Sequence, residues 1–209
     1  MQREFTKIEE CIMSDRRPSA RLRLFSNEQW FKSFPFSLLL EEKNTNQSPV
    51  YHPEGSVWEH TLMVVDEAAA RKAYSPNPRA LMWAALLHDI GKPITTKIRK
   101  GRITAYNHDI RGAELARIFL SSLTDEAELI EIAVRLVRYH MHILYVNKSL
   151  PFSDLRNMKE RADIRDVALL GYCDRLGRRG ADPQAERAAV IAFLQKCGEK
   201  SDLPWLRNS

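Results

Sequence analysis

The chain has 209 residues, 44% hydrophobic and 28% charged, a balance that allows one large domain with a sizeable core. No apolar run approaches the roughly 18 residues that cross a bilayer, and Met1-Gln2-Arg3-Glu4-Phe5 does not read as a signal peptide, so a cytoplasmic protein without a membrane partner is expected. Three widely spaced cysteines without a CxxC pattern argue against a disulfide framework or zinc ribbon, while a net charge of +5 suits an anionic partner without separating nucleotide from RNA.

Phe5 to Met13 carries apolar residues at 5, 8 and 12, the spacing of a short amphipathic helix, and Arg16-Arg17-Pro18 is expected to break it. Ser26-x-x-Gln29 reads as a capping box opening a helix through Trp30 and Phe31. Residues 41–53 are polar and turn-rich and read as a loop. Ser56 is placed to cap a helix to about Ala73, closed by Ser75-Pro76-Asn77-Pro78. The next helix runs from about Arg79 to Ile90, and its stretch Ala80 to Leu87 has no polar face, which predicts burial on all sides. Gly91 reads as its stop, and Pro93 prevents continuation. Two β-rich runs, 94–98 and 103–106, around Lys100-Gly101 predict a small hairpin. Further helices are expected from about Asp109 to Leu120, from Thr124 through Met141, from a Ser153 cap toward Arg161, from Asp163 through Leu176, and from Asp182-Pro183 toward Cys197. The expected fold is all-α, a helical bundle with a minor β-hairpin, organised as an N-terminal helical extension 1–50, a main domain 51–200 and a tail 201–209.

The helical faces show where chemistry can sit. His60 lies on one line with Val57, Val64 and Glu67; His140 shares a face with Ile130, Ala133, Val134 and Val137; Asp174 falls with Val167, Leu170 and Gly171. The buried helix ends in His88-Asp89, and His108 stands where the hairpin hands over to the next helix. A lone inward histidine or aspartate is ordinarily a hydrogen-bonded core residue. Four of six histidines and two aspartates, all inward or at helix ends, read instead as a metal site. Imidazole and carboxylate without thiolate suit Mg, Mn, Fe, Co, Ni or Zn.

These residues carry a resemblance. His60, then His88-Asp89, then Asp174 on separate helices resembles the H…HD…D arrangement of the HD-domain metal-dependent phosphohydrolases, and His88-Asp89-Ile90-Gly91-Lys92 matches that family's most recognisable stretch. It is strongest toward the HD domain of bacterial CCA-adding tRNA nucleotidyltransferases, through residues 52–61, 88–92 with Thr95-Thr96, Asn107-His108-Asp109, Tyr139-His140 and Asp174 to Arg178. The glycine-rich loop and paired aspartates of a nucleotidyltransferase head are absent upstream of residue 50, so the chain resembles the HD module standing alone, and CCA addition is not implied.

The resemblance implies that His60, His88, Asp89 and Asp174 bind a first divalent ion, with His108 and His140 in place for a second that Asp89 bridges. His142 lies on nearly the opposite side of the helix from His140 unless the helix ends there, and reads as a supporting or surface residue; His52 either lines the mouth of the site or is a turn residue. Asp89 is expected to bridge ions or orient the attacking water, and Lys92 either to pair with a substrate phosphate or to serve as a helix-end cation. Arg178 either pairs with Asp174 at i+4 or, like Arg175, contacts phosphate. Lys97, Arg99, Lys100 and Arg102 form a basic hairpin rim that is either an RNA contact or a solvated turn. The expected activity is hydrolysis of a nucleotide phosphomonoester or a 2′,3′-cyclic phosphodiester by metal-activated water. Two alternatives stand beside it, a nucleotide- or RNA-binding HD module with little turnover and a di-iron HD-fold oxygenase. Oligomeric state is not readable from the sequence.

Overall fold

The computed structural model describes residues 2–207. Helix α1, Gln2–Ser14, buries Phe5, Ile8, Cys11 and Ile12, the face its spacing predicts. The proline expected only to break it also starts the next helix: Pro18 opens α2, Pro18–Phe25, where its missing N–H is one that no helical carbonyl would have received. Ser26 is therefore the end of α2 and not an N-cap, its backbone N–H donating to Leu22 O at 2.9 Å. Trp30 and Phe31 lie in a single 3₁₀ turn, Gln29–Lys32. Helix α3, Ser37–Leu40, and a 3₁₀ turn, Glu41–Asn44, occupy the approach to the long loop.

Helix α4, Val57–Arg71, starts where expected, with Ser56 Oγ accepting the Glu59 N–H. Helix α5, Pro78–Leu87, is buried from Ala80 to Leu87 with no side chain more than 2% exposed. Each of its large apolar side chains contributes about 1.5–3 kcal/mol by leaving water. It packs against α1 and α4 and is the centre of the core, with Phe5 stacked on Trp83 at 5.2 Å. The helix stops at Leu87, so His88 to Gly91 form a tight turn before α6, Lys92–Thr95. Gly91 has φ −82°, so it is not a left-handed stop; an added Cβ would lie 2.3 Å from His108 O and 2.5 Å from Gly112 N. Glycine is needed there because the turn touches another backbone.

The hairpin is β1, Lys97–Arg99, and β2, Arg102–Thr104, shorter than expected because Ile94 and Thr95 belong to α6. Lys100 and Gly101 both take positive φ, as a two-residue hairpin turn requires. Helix α7, His108–Ser121, packs along α8, Ala127–Tyr139. The continuous helix expected to Met141 breaks at His140, and α9, His142–Asn147, follows after a turn. Helix α10, Leu155–Arg161, has Asp154 at its N-cap position in place of Ser153. Asp163 and Asp182 cap α11, Ile164–Leu176, and α12, Pro183–Lys196, as predicted. Helix α13, Pro204–Arg207, returns Trp205 to Tyr172, so both ends of the chain join one core. The fold is an all-α bundle with one two-stranded hairpin. Among the described residues no helix is long and apolar enough to cross a membrane.

Candidate metal centre

Helices α4, α5 and α11 pack together with α8, and their ligand-type residues meet where α5 ends. His60, His88 and Asp174 present atoms within 4.8 Å of one another, and so do Asp89, His108 and His140. Asp89 stands between the two groups. Its Oδ2 lies 3.2 Å from His88 Nε2 and 3.8 Å from His60 Nε2, while its Oδ1 lies 3.5 Å from His108 Nε2 and 3.9 Å from His140 Nε2. His60 Nε2 is 2.9 Å from Asp174 Oδ1. All six side chains are buried. The arrangement brings together every residue that the sequence picked out as a metal ligand.

The histidines are oriented from behind. Carbonyls only accept, so the Nδ1 atoms of His88, His108 and His140 must donate to Ala85 O, Ala105 O and Val137 O, at 2.9, 2.7 and 2.7 Å. That fixes the tautomer and turns each Nε2 lone pair inward. Behind His60 stands Glu54, whose Oε1 lies 3.0 Å from Nδ1 and 2.9 Å from His52 Nδ1. Asn107, tolerated with φ 61°, turns the chain into α7 so that His108 can point back at Asp89.

The polar atoms left over fit a cation. His88 Nε2 is buried without a hydrogen-bond partner among the described residues. His108 Nε2 and His140 Nε2 face each other at 3.2 Å, and two neutral lone pairs at that distance repel unless a proton or metal ion lies between them. Burial pushes His108 down to about 3, so a proton there is disfavoured. Burial also opposes ionisation of Asp89, yet His88 and Lys92 hold it well below the usual carboxylate range. At Asp174 burial is likewise outweighed, by Arg178 and His60. Two ionised carboxylates among inward imidazole lone pairs, without thiolate, form a donor set for a hard or borderline divalent ion.

A cavity of about 480 Å³ opens over Asp89, His108, His140 and Asp174. Lys92 borders it, with Nζ 2.7 Å from Asp89 Oδ2 and 2.5 Å from Gln47 Oε1. Lys92 opens α6, so it is not the cation at the C-terminal end of a helix that one sequence reading made it. Arg178 lies 3.1 Å from Asp174 Oδ2, and Arg175 is held by Glu186 at 2.5 Å; both still line the cavity.

Around these ligand-type residues stand several further polar groups. His52 lines the cavity wall with its ring against His60. Glu54 and Gln47 sit in the long loop, where no periodicity marks them. Glu42 is buried with one oxygen accepting the Thr61 hydroxyl, and desolvation together with nearby Asp89 raises it to about 8. His142 is not a surface residue: it is fully buried against Tyr139 and Tyr145, and burial lowers it to about 3. The three cysteines are free and buried.

The sequence model of the HD domain matches residues 57–190. The chain is similar to the multifunctional CCA protein of Azoarcus sp. (strain BH72), 34% identical over 179 residues, which is 76% of this chain and 42% of that protein. The multifunctional CCA protein of Actinobacillus pleuropneumoniae serotype 5b (strain L20) is 31% identical over 152 residues, 68% of this chain and 36% of the relative. The CC-adding tRNA nucleotidyltransferase of Thermus thermophilus is 36% identical over 144 residues, 67% of this chain and 31% of the relative. The chain therefore spans well under half the length of these curated relatives. With the family's sequence model matching residues 57–190 and the His60…His88-Asp89…Asp174 set drawn into one cavity, the chain belongs to the HD-domain family.

Proposed function

We propose that this protein is a cytoplasmic metal-dependent phosphohydrolase acting on a nucleotide phosphomonoester or a 2′,3′-cyclic phosphodiester. The observation that carries the reading is Asp89, whose two oxygens face two separate histidine groups at the floor of a nucleotide-sized cavity. His60, His88, Asp89 and Asp174 would hold one divalent ion, and His108 and His140 a second shared through Asp89. A divalent ion in such a site lowers the pKa of bound water and polarises a phosphoryl oxygen. Lys92 and Arg178 line the same cavity and offer cations to phosphate oxygens, with Arg175 beside them. Glu54 stands behind His60, and the carbonyls of Ala85, Ala105 and Val137 keep the other three imidazoles in register. The complete ligand set favours turnover over a binding-only module, because a module that only binds has no need of six converging donors.

The test is purified protein assayed against nucleoside 2′-, 3′- and 5′-monophosphates and 2′,3′-cyclic monophosphates, with Mg, Mn, Co and Ni each in turn. At least one pair should turn over, and Asp89→Ala should bring it to background. No turnover with any pair, or an active Asp89→Ala variant, overturns the proposal.

A further inference from the structure

Most surface arginines of this protein are closed by a carboxylate: Arg23 by Glu59, Arg79 by Glu9, Arg117 by Glu131. The β1–β2 hairpin gathers four cations that are not closed in this way. Lys97, Arg99, Lys100 and Arg102 are exposed and form no ion pair among the described residues. From residue 90 to 108 the chain carries no aspartate or glutamate and five lysines or arginines.

The register sharpens the point. Arg99 stands directly across from Arg102, and Lys97 projects from the same face two residues away. Like charges in opposed positions destabilise a strand pair. A hairpin that keeps three cations on one face, with no carboxylate paired to them among the described residues, gains if an anion comes to it. The side chain of Arg99 also lies over the exposed ring of Tyr106, 5.1 Å from its centroid. The inner end of the same hairpin, Ile103 and Thr104, lines the cavity over the metal centre. At about 3.3 Å per residue the basic tip is roughly 10 Å beyond that wall.

We propose that this hairpin face is an electrostatic arm for the phosphodiester backbone of a single-stranded polynucleotide whose terminal phosphate enters the cavity. For the chemistry at that terminus it rests on the phosphohydrolase reading; for the binding it does not. The strand must be single because a cavity of about 480 Å³ admits one nucleotide-sized group, and a paired end would have to open to reach it.

The experiment removes the charge from all four residues together, Lys97→Gln, Arg99→Gln, Lys100→Gln and Arg102→Gln. Fluorescence anisotropy then measures wild type and variant with 5′-labelled RNA and DNA pentanucleotides ending in a 3′-phosphate. The variant should bind the pentanucleotides at least about tenfold more weakly at low salt, and its log Kd against log salt slope should fall by about 2 to 3. A KM for the mononucleotide turned over by wild type should not change. Equal affinity for RNA and DNA would mark recognition through backbone phosphates alone, and RNA preference would add the 2′-hydroxyl; both support the arm. Unchanged pentanucleotide affinity in the variant overturns it, as does an equal loss of mononucleotide activity, which would make the hairpin part of the centre's architecture. If wild type hydrolyses nothing, the phosphohydrolase reading fails while the anisotropy still decides the arm.

Discussion

Two regions of this molecule bury a carboxylate near an end of a core helix, and they treat it in opposite ways. At the C-terminal end of α5, Asp89 lies among His60, His88, Lys92, His108 and His140, and His88 and Lys92 hold it ionised against the cost of burial. In the first turn of α11, Asp166 is as deeply buried but has only the neutral Ser75 and Asn77 for partners, with Asp163 nearby. Desolvation therefore raises Asp166 to about 6. Burial alone neutralises a carboxylate; keeping one charged in a core takes a surrounding built for it. The first region has that surrounding and the second does not, which is why the first is read as a site and the second as packing.

The comparison can be broken by experiment. The largest effect should come from the metal. An ion bound only by the native state stabilises by about 2.7 kcal/mol at a hundredfold excess over Kd and about 4 at a thousandfold. Chelator should lower the Tm of wild type accordingly and leave an Asp89→Ala variant unmoved; equal shifts in both would show that the stabilising ion sits elsewhere.

Next is Lys92. If its ammonium meets substrate phosphate as well as Asp89, Lys92→Ala should reduce kcat/KM by roughly ten- to hundredfold, the loss of one charge-assisted contact of about 1.5–3 kcal/mol. Metal content should hold, since an ammonium is no ligand. Wild-type kcat/KM in the variant would confine Lys92 to structure.

The smallest effect lies at Asp166, with the sign set by its raised pKa. Below about pH 4 the group is protonated folded and unfolded; between about 4 and 6 only the unfolded chain ionises, so stability falls as pH rises. Asp166→Asn should remove that fall and be more stable than wild type at pH 7, with no difference near pH 3.5. Urea melts at the two pH values check it. A variant less stable at neutral pH would mean that the carboxylate is paired after all.

How much of this was legible beforehand depended on periodicity. The unbroken apolar run Ala80 to Leu87 announced the central helix, and Ser56, Asp163 and Asp182 announced their caps, because a side-chain oxygen satisfying free N–H groups is a local event. The candidate ligands His60 on α4, Asp174 on α11 and His140 at the end of α8 are readable as polar positions on apolar faces. What failed was non-local. Pro18 reads as a breaker in sequence, yet a proline can equally open a helix, and Ser26 then falls at the end of one instead of its start. Gly91 was explained by its own turn, when its reason is the His108 carbonyl that touches it. Glu54 and Gln47 come from a loop, where the face of a residue is set by the fold and not by its spacing. For His142 helical phase stops counting at the break after Tyr139, and only its surface reading fails.

The central claim is that Asp89 joins two histidine groups into one centre for divalent ions. Elemental analysis after equilibrium dialysis against manganese or cobalt tests it most directly, on wild type, His140→Ala and Asp89→Ala, with circular dichroism to confirm that each is folded. The account predicts two ions per chain in wild type, one in His140→Ala and none in Asp89→Ala. A wild type that comes out of dialysis without metal, or an Asp89→Ala variant that keeps the wild-type number of ions, would contradict it.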